Sequence, residues 1–393
     1  MTQYDVAVVG GGPAGSATAA RLVERGLSVA LLDRAQFPRP KPCAEYLSPG
    51  TVAALGRLGV LDHVQALGPV RLRGMRIVGG DGTSFEGHFL EGVGLSVSRE
   101  RLDAILVGAA RQRGVVLWEE TTVTGLAGAS HGTVHLFARC HGEPLALAAR
   151  LVIGADGLNS RVARSLGLAR PPAGRRVALV AHATGVTGMS DVGEMHVGPA
   201  GYVGIAPLDG GSTTVAAVVD REALPAHRSL ADALRALLAG FPVLRHRVAG
   251  AEFVSPVRGV GPFGRTTRRA STDHALLVGD AADFFDPFTG EGVYAALAGA
   301  ELATEFAARA LARNRLAAHD LAPYQRARRQ AFATKWTLER IVAWVIARPA
   351  ALAHVAKRLA RQPGLADRLV SVTAHVTPAA AVFRPSYVYH LVA

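Results

Sequence analysis

Cysteine is scarce: the 393 residues contain two, Cys43 and Cys140. Two thiols without metal-type spacing build neither a disulfide framework nor a zinc cluster, so no metal site is expected and a reducing, cytoplasmic setting is. Long hydrophobic runs are missing too. No window reaches the roughly 18 uninterrupted apolar residues of a membrane span, and the stretch around Trp344 is broken by Arg348 and Pro349. The chain opens directly on the apolar run Val6 to Val9, with no basic n-region or small-residue cleavage site, so a signal peptide is not expected. Acidic residues are the third deficit, 31 Asp and Glu against 43 Lys and Arg. The imbalance collects late: from Leu321 onward, nine arginines, Lys335 and Lys357 face only Glu339 and Asp367. No nucleic-acid motif accompanies that charge, so the first expectation is a solvated helical face and no nucleic-acid partner. Acidic membrane headgroups are the alternative, because Leu338, Ile341, Val342 and Val345 recur at helical spacing beside the basic residues. The location expected is therefore cytoplasmic, with peripheral membrane association through the C-terminal helices as its variant.

What is abundant is apolar residues, 49%, and glycine, 44 positions. At this length two domains are expected. Asp5 to Val9 reads as a strand, Gly10 to Gly15 as a glycine turn, Ser16 to Arg25 as a helix and Leu27 to Leu32 as a second strand, which together make a βαβ unit. Arg71 to Gly87 reads as a hairpin turning at Gly80-Asp81-Gly82, Arg99 to Arg113 as a helix, and Leu151 to Gly154 and Ala275 to Val278 as further strands. The long segment from Glu291 to about Leu311 and the last seventy residues read as helical. The fold expected is α/β, with a dinucleotide-binding domain over residues 1–70, 95–170 and 265–320. A β-sheet substrate domain is interleaved at 71–94 and 171–264, and a helical region follows at 321–393.

Three strand ends carry the chemistry. Gly10, Gly12 and Gly15, with Pro13 and Ala14 between them, form a G-x-G-x-x-G between strand and helix. The glycines let the turn close, let backbone approach a pyrophosphate and let helix pack on strand, while the helix N-terminus attracts negative charge. Asp33, followed by Arg34, ends the second strand, where a carboxylate takes ribose hydroxyls. Gly154-Ala155-Asp156-Gly157 ends another strand. Gly279-Asp280 ends a third, ahead of Asp286-Pro287-Phe288-Thr289-Gly290-Glu291-Gly292 at the start of the long helix. A carboxylate at such a strand end points into the ligand crevice, and the helix amides can stabilise negative charge; a plain N-cap is the other reading of Asp280.

In this order and at these separations, the three motifs resemble the para-hydroxybenzoate-hydroxylase-type flavoproteins over most of residues 1–320, a superfamily that includes aromatic hydroxylases, geranylgeranyl reductases and flavin-dependent halogenases. The resemblance implies a Rossmann-like FAD-binding domain (GR2-type). It implies that Gly10, Gly12, Gly15 and Asp33 hold the AMP half of FAD and Asp280 the ribityl chain, that Arg99 reaches the cofactor, and that Asp156 and Gly157 support the pyrophosphate region. It also places Arg34, Cys43, Ala44, Gly279, Pro287, Gly290 and Gly292 along the cofactor. Arg99 and Asp156 as ordinary capping or surface contacts are the alternative. With a single glycine fingerprint, NAD(P)H is expected to donate electrons transiently against the FAD domain.

Pro40 to Pro49 resembles the K-x-C-G-x-x-L-S/T-P loop of geranylgeranyl reductases, with Ala44 in place of glycine and Glu45-Tyr46 in place of small residues. The halogenase tryptophan motif is missing, and Lys41 is the only lysine before residue 100. Two redox readings remain. In the first, NAD(P)H-reduced FAD forms a C4a-hydroperoxide that hydroxylates a small, apolar or aromatic molecule of natural-product type. In the second, reduced flavin delivers hydride to a prenyl or activated C=C bond with Cys43, Glu45 or Tyr46 as the acid, although a lone cysteine is also what a packed small residue looks like. A non-redox FAD protein is a third. The departures in the cysteine loop favour the monooxygenase. Tyr46, Met195, His196, Tyr202, Phe284, Phe285 and Phe288 are the expected substrate pocket.

Overall fold

The computed structural model describes residues 2–130, 132–224 and 228–392. The first strand, β1 (Thr2–Val9), leads through the glycine turn into α1 (Pro13–Val23) and then β2 (Val29–Leu32). β1 and β2 pair in parallel, Val6 opposite Val29. Pro13 sits in the first turn of α1, where its missing N–H costs nothing. Val6, Val8 and Leu31 are fully buried, as a parallel sheet covered on both faces requires. Each such Leu or Val contributes about 1.5–3 kcal/mol by leaving water.

The chain then departs. β3 (Gly74–Val78) and β4 (Ser84–His88) form an antiparallel hairpin away from the first sheet. The return runs through α2 (Arg99–Gln112), whose first turn is capped by the Ser98 hydroxyl, to β5 (Val116–Trp118), which adds to β2 in parallel. A meander follows, β6 (Thr121–Ser130), β7 (Thr133–Cys140) and β8 (Glu143–Gly154); β8 pairs with β7 on one side and β1 on the other.

A second departure supplies β9 (Arg176–Thr184), β10 (Val192–Gly198), β11 (Gly201–Pro207) and β12 (Thr213–Asp220). They form a sheet in the order β9-β12-β11-β10-β3-β4, so the early hairpin joins it through the parallel pair β10 and β3. Alternation gives this sheet two apolar faces. Leu179, Val203, Ile205 and Val215 pack under α3 (Leu230–Ala239), whereas Val180, Met195, Tyr202 and Val218 form a second cluster on the other face.

The last return adds β13 (Ala275–Leu277) to β8, completing the parallel order β13-β8-β1-β2-β5. α4 (Gly292–Ala312) packs on α1, and four helices follow: α5 (Ala318–Ile346), α6 (Pro349–Arg361), α7 (Pro363–Thr373) and α8 (Pro385–Val392). Residue 321, where the sequence suggests that a helical region begins, lies in the first turn of α5. Leu321 and Tyr324 are buried in the first core, and the Tyr324 hydroxyl donates to the Leu277 carbonyl at 2.7 Å. Further along the same helix, Val342, Val345 and Ile346 pack against the second sheet, so one continuous helix ties both layers together. Among the described residues no helix is long and apolar enough to cross a membrane.

Candidate functional site

A continuous cavity of about 780 Å³ runs from the glycine turn, between the two sheets, to α5. Its first end is shaped by close packing. A Cβ on Gly15 would stand 1.8 Å from the Gly10 carbonyl oxygen, and one on Gly10, where φ is +105°, would stand 2.4 Å from the Ala155 oxygen. Only glycine lets α1 start directly against β1 and β8. In front of Gly12, the N-cap, the space is open; a Cβ there would meet nothing nearer than the Arg39 guanidinium at 3.9 Å. Asp33 is buried and oriented, its two oxygens accepting the Gly11 N–H at 2.7 Å and the Ala35 N–H at 2.9 Å. Arg34 lines the cavity beside it.

The other strand ends converge on the same space. Gly279 (φ +60°) comes close enough to α1 that a Cβ would touch that of Ala14 at 3.0 Å, which brings the first and third motifs together. Asp280 follows, half-buried; desolvation pushes its carboxyl up, and the nearby charges of Lys41 and Arg99 pull the other way. Lys41 is held down by its own burial and by Arg99, with Asp280 opposing. Pro287, Gly290 and Gly292 bring the N-terminus of α4 to the cavity wall. Asp156 lines the cavity with Gly157, but its carboxylate also caps the short helix Arg161–Ser165, accepting the Ser160 hydroxyl at 2.5 Å and the Arg161 N–H at 2.6 Å. Arg99 lines the cavity with its fork engaged by Asp103, at 2.9 and 3.0 Å.

In the cysteine loop Cys43, Ala44, Glu45 and Tyr46 all border the cavity. Glu45 adopts φ +60° and is buried. One of its oxygens accepts the Arg99 N–H at 3.2 Å; the other accepts the Thr214 hydroxyl at 3.0 Å and lies 2.7 Å from His182 Nε2. Its carboxylate therefore locks the loop to α2 and to the second sheet and is not free to act as an acid. The Cys43 sulfur accepts the Glu45 N–H at 3.4 Å. Tyr46 is buried, and burial together with the negative Glu291 pushes its hydroxyl far above the usual phenol range. It stays a neutral donor at the wall.

Of the expected substrate residues, Met195, Tyr202, Phe284 and Phe288 line the cavity, and Phe285 stands at its rim, 40% exposed. Tyr202 and Phe288 meet edge to face at 4.9 Å, and the Tyr202 hydroxyl donates to Asp286 at 2.6 Å. His196 is a correction. It alternates with Met195 and so points to the opposite face of β10, where its Nε2 lies 2.9 Å from Glu194. Burial alone would raise the Glu194 carboxyl, yet hydrogen bonds from His196 and Arg247 and their charges hold it at about 2.

Sequence reasoning missed the contribution of α5. Arg328, Phe332, Lys335, Trp336 and Glu339 all reach the cavity. Their spacing marks one helical face, a signal present in the sequence but read there as solvated charge or a membrane-facing surface and not as a cavity wall. Lys335 pairs with Glu339 and lies 3.7 Å from Glu291, whose other neighbour is His375 Nε2 at 3.1 Å. Arg328 pairs with Asp283.

The donor set fits a flavin dinucleotide. An open helix N-terminus stands by an oriented acid, a half-buried Asp280 lines the same cavity, and a second helix N-terminus reaches its wall. The family model described as an FAD binding domain matches residues 3–337. A digeranylgeranylglycerophospholipid reductase of Methanothermobacter thermautotrophicus is 30% identical over 339 residues, covering 83% of this chain and 82% of that protein. A menaquinone reductase of Mycobacterium tuberculosis is 32% identical over 339 residues, covering 77% and 76%. A geranylgeranyl bacteriochlorophyll reductase-like protein from Thermoplasma acidophilum shares the fold at 23% identity, with a TM-score of 0.76 over 100% of this chain and 99% of that one.

Proposed function

Because this chain belongs to the FAD binding domain family and is an FAD-dependent oxidoreductase, we propose that it reduces C=C bonds in an apolar, prenyl-type chain. NAD(P)H is the transient electron donor in this reading, since the chain carries one glycine fingerprint. The observation that carries the proposal is Tyr46: a buried, neutral phenol on the cavity wall, in the loop that resembles that of the geranylgeranyl reductases. The reductase names of the two relatives point the same way. Reduction of C=C consumes a hydride and a proton; FAD bound and reduced in this cavity would supply the hydride, and in this reading the Tyr46 hydroxyl gives the proton to the carbon that does not receive it. Glu45 and Asp103 position the loop and Arg99. Met75, Val180, Met195, Val218 and Phe332 give the chain an apolar wall that excludes water.

The sequence-based case for hydroxylation rests on the departures of the cysteine loop from the reductase pattern at Ala44, Glu45 and Tyr46. The Glu45 carboxylate, engaged by His182, Thr214 and the Arg99 N–H, fixes that loop to the second sheet and leaves Tyr46 as the polar side chain it offers to the cavity in the reductase reading. Hydroxylation of a flat aromatic molecule is the second reading, favoured by the ring set of Tyr202, Phe288, Phe263 and Phe284. The test is a single turnover of anaerobically reduced holoprotein with a menaquinone or a geranylgeranyl lipid. Return of the yellow colour with a product heavier by H2 per bond supports the reductase. A product formed only with oxygen, and heavier by one oxygen atom, replaces it with the hydroxylase.

A further inference from the structure

α5 has two faces with different tasks. Arg328, Phe332, Lys335 and Glu339 face the cavity, and Val342, Val345 and Ile346 continue that side into the second core. At the helical period the opposite side carries Arg340, Ile341 and Trp344, and Arg348 follows just past the helix end as the N-cap of α6. Ile341 is 44% and Trp344 54% exposed. The Arg348 guanidinium lies over the Trp344 ring, 4.3 Å from its centroid, and donates to the Trp344 carbonyl at 3.0 Å, so ring and cation are presented together. The 3₁₀ turn Ala379–Ala381 packs on α5 and leads to exposed Phe383 and Arg384. The acids of this region are spent elsewhere: Glu339 is buried against Lys335, and Asp367 accepts the His88 N–H at 2.7 Å.

We propose that this outer face of α5, with Phe383 and Arg384, docks on a lipid bilayer surface containing anionic headgroups. A tryptophan and an isoleucine one turn apart, flanked by arginines and without a facing carboxylate, match the apolar boundary and negative potential of such a surface. The charge complementarity selects a bilayer over a second copy of this chain, whose matching face would bring arginine against arginine. The helix that walls the cavity is then the one that rests on the membrane, which gives a lipid-soluble substrate a short route inward. The inference stands on the surface and not on the reaction.

The test is co-sedimentation of the full-length, FAD-loaded protein with vesicles of phosphatidylcholine alone or mixed with phosphatidylglycerol. Binding is expected to the mixed vesicles, to weaken in high salt, and to fall roughly thirtyfold in R340Q/R348Q through loss of two surface cations. W344S should also weaken it, while flavin content and melting temperature stay unchanged in both variants. Equal partition to neutral and anionic vesicles, no binding, or unchanged partition of the variants overturns the proposal. So does a wild-type dimer that W344S converts to monomer. Because binding is read without turnover, failure here leaves the reductase reading standing, and the reverse.

Discussion

His182 Nε2 on β9 lies 2.7 Å from Glu45 Oε2 in the cysteine loop, a contact that joins the second sheet to the loop that borders the cavity. The hydrogen bond to Glu45 is the main reason the His182 pKa is raised, with burial opposing it and the charges of Glu45, Asp209 and Glu100 adding to it. A base whose folded pKa is raised stabilises the fold fully below its unfolded value, here 6.5, and that stability is lost as pH rises through the higher folded value. Wild-type stability in urea is therefore expected to decline as pH rises from about 6.5, and H182Q should lack that part of the decline. Identical pH profiles for the two proteins would sink the idea.

Asp280→Ala should weaken FAD retention. The half-buried carboxylate sits where the strand end meets the cavity, and a hydrogen bond to a charged group is worth roughly 1.5–3 kcal/mol, or about ten- to a hundredfold in affinity. The flavin-to-protein ratio after dialysis measures this. A variant with full yellow colour and unchanged affinity would refute the placement.

Gly290→Ala should destabilise the protein by roughly 1–3 kcal/mol. Its φ is +69°, and a Cβ would stand 2.7 Å from the Tyr46 ring. Much of the cost should vanish in a Tyr46→Ala background, because one of the two clashing partners is gone. An equal drop in melting temperature in both backgrounds would show that backbone strain, and not the ring contact, limits this position.

Tyr46→Phe keeps the ring against Gly290 and removes only the hydroxyl. Under the proposed reduction it should lower turnover roughly a hundredfold or more while FAD affinity and melting temperature hold. Stopped-flow traces separate the steps: reduction of the flavin by NAD(P)H should be untouched and its reoxidation by substrate slowed. Unchanged reoxidation would remove Tyr46 from the chemistry.

How much of this was legible beforehand depends on how local the signal is. The turn at Gly10 to Gly15, the acid at Asp33 and the strand-end pairs Asp156-Gly157 and Gly279-Asp280 announce themselves, because each is a short-range requirement of backbone geometry on adjacent residues. The two excursions into a second sheet could be read from strand periodicity and turn residues, as could the helical character after Leu321.

The amino-acid sequence by itself therefore determined the FAD-binding α/β architecture and the turns and acids at its strand ends, since period, capping and glycine conformation act within a few neighbours. Tertiary structure alone decided that Glu45 locks to His182 and Thr214, that the Met195 face of β10 and not the His196 face meets the cavity, and that α5 walls it. Those outcomes depend on the angle and register at which two layers dock, and residues more than a hundred positions apart carry no local mark of which partner they will meet.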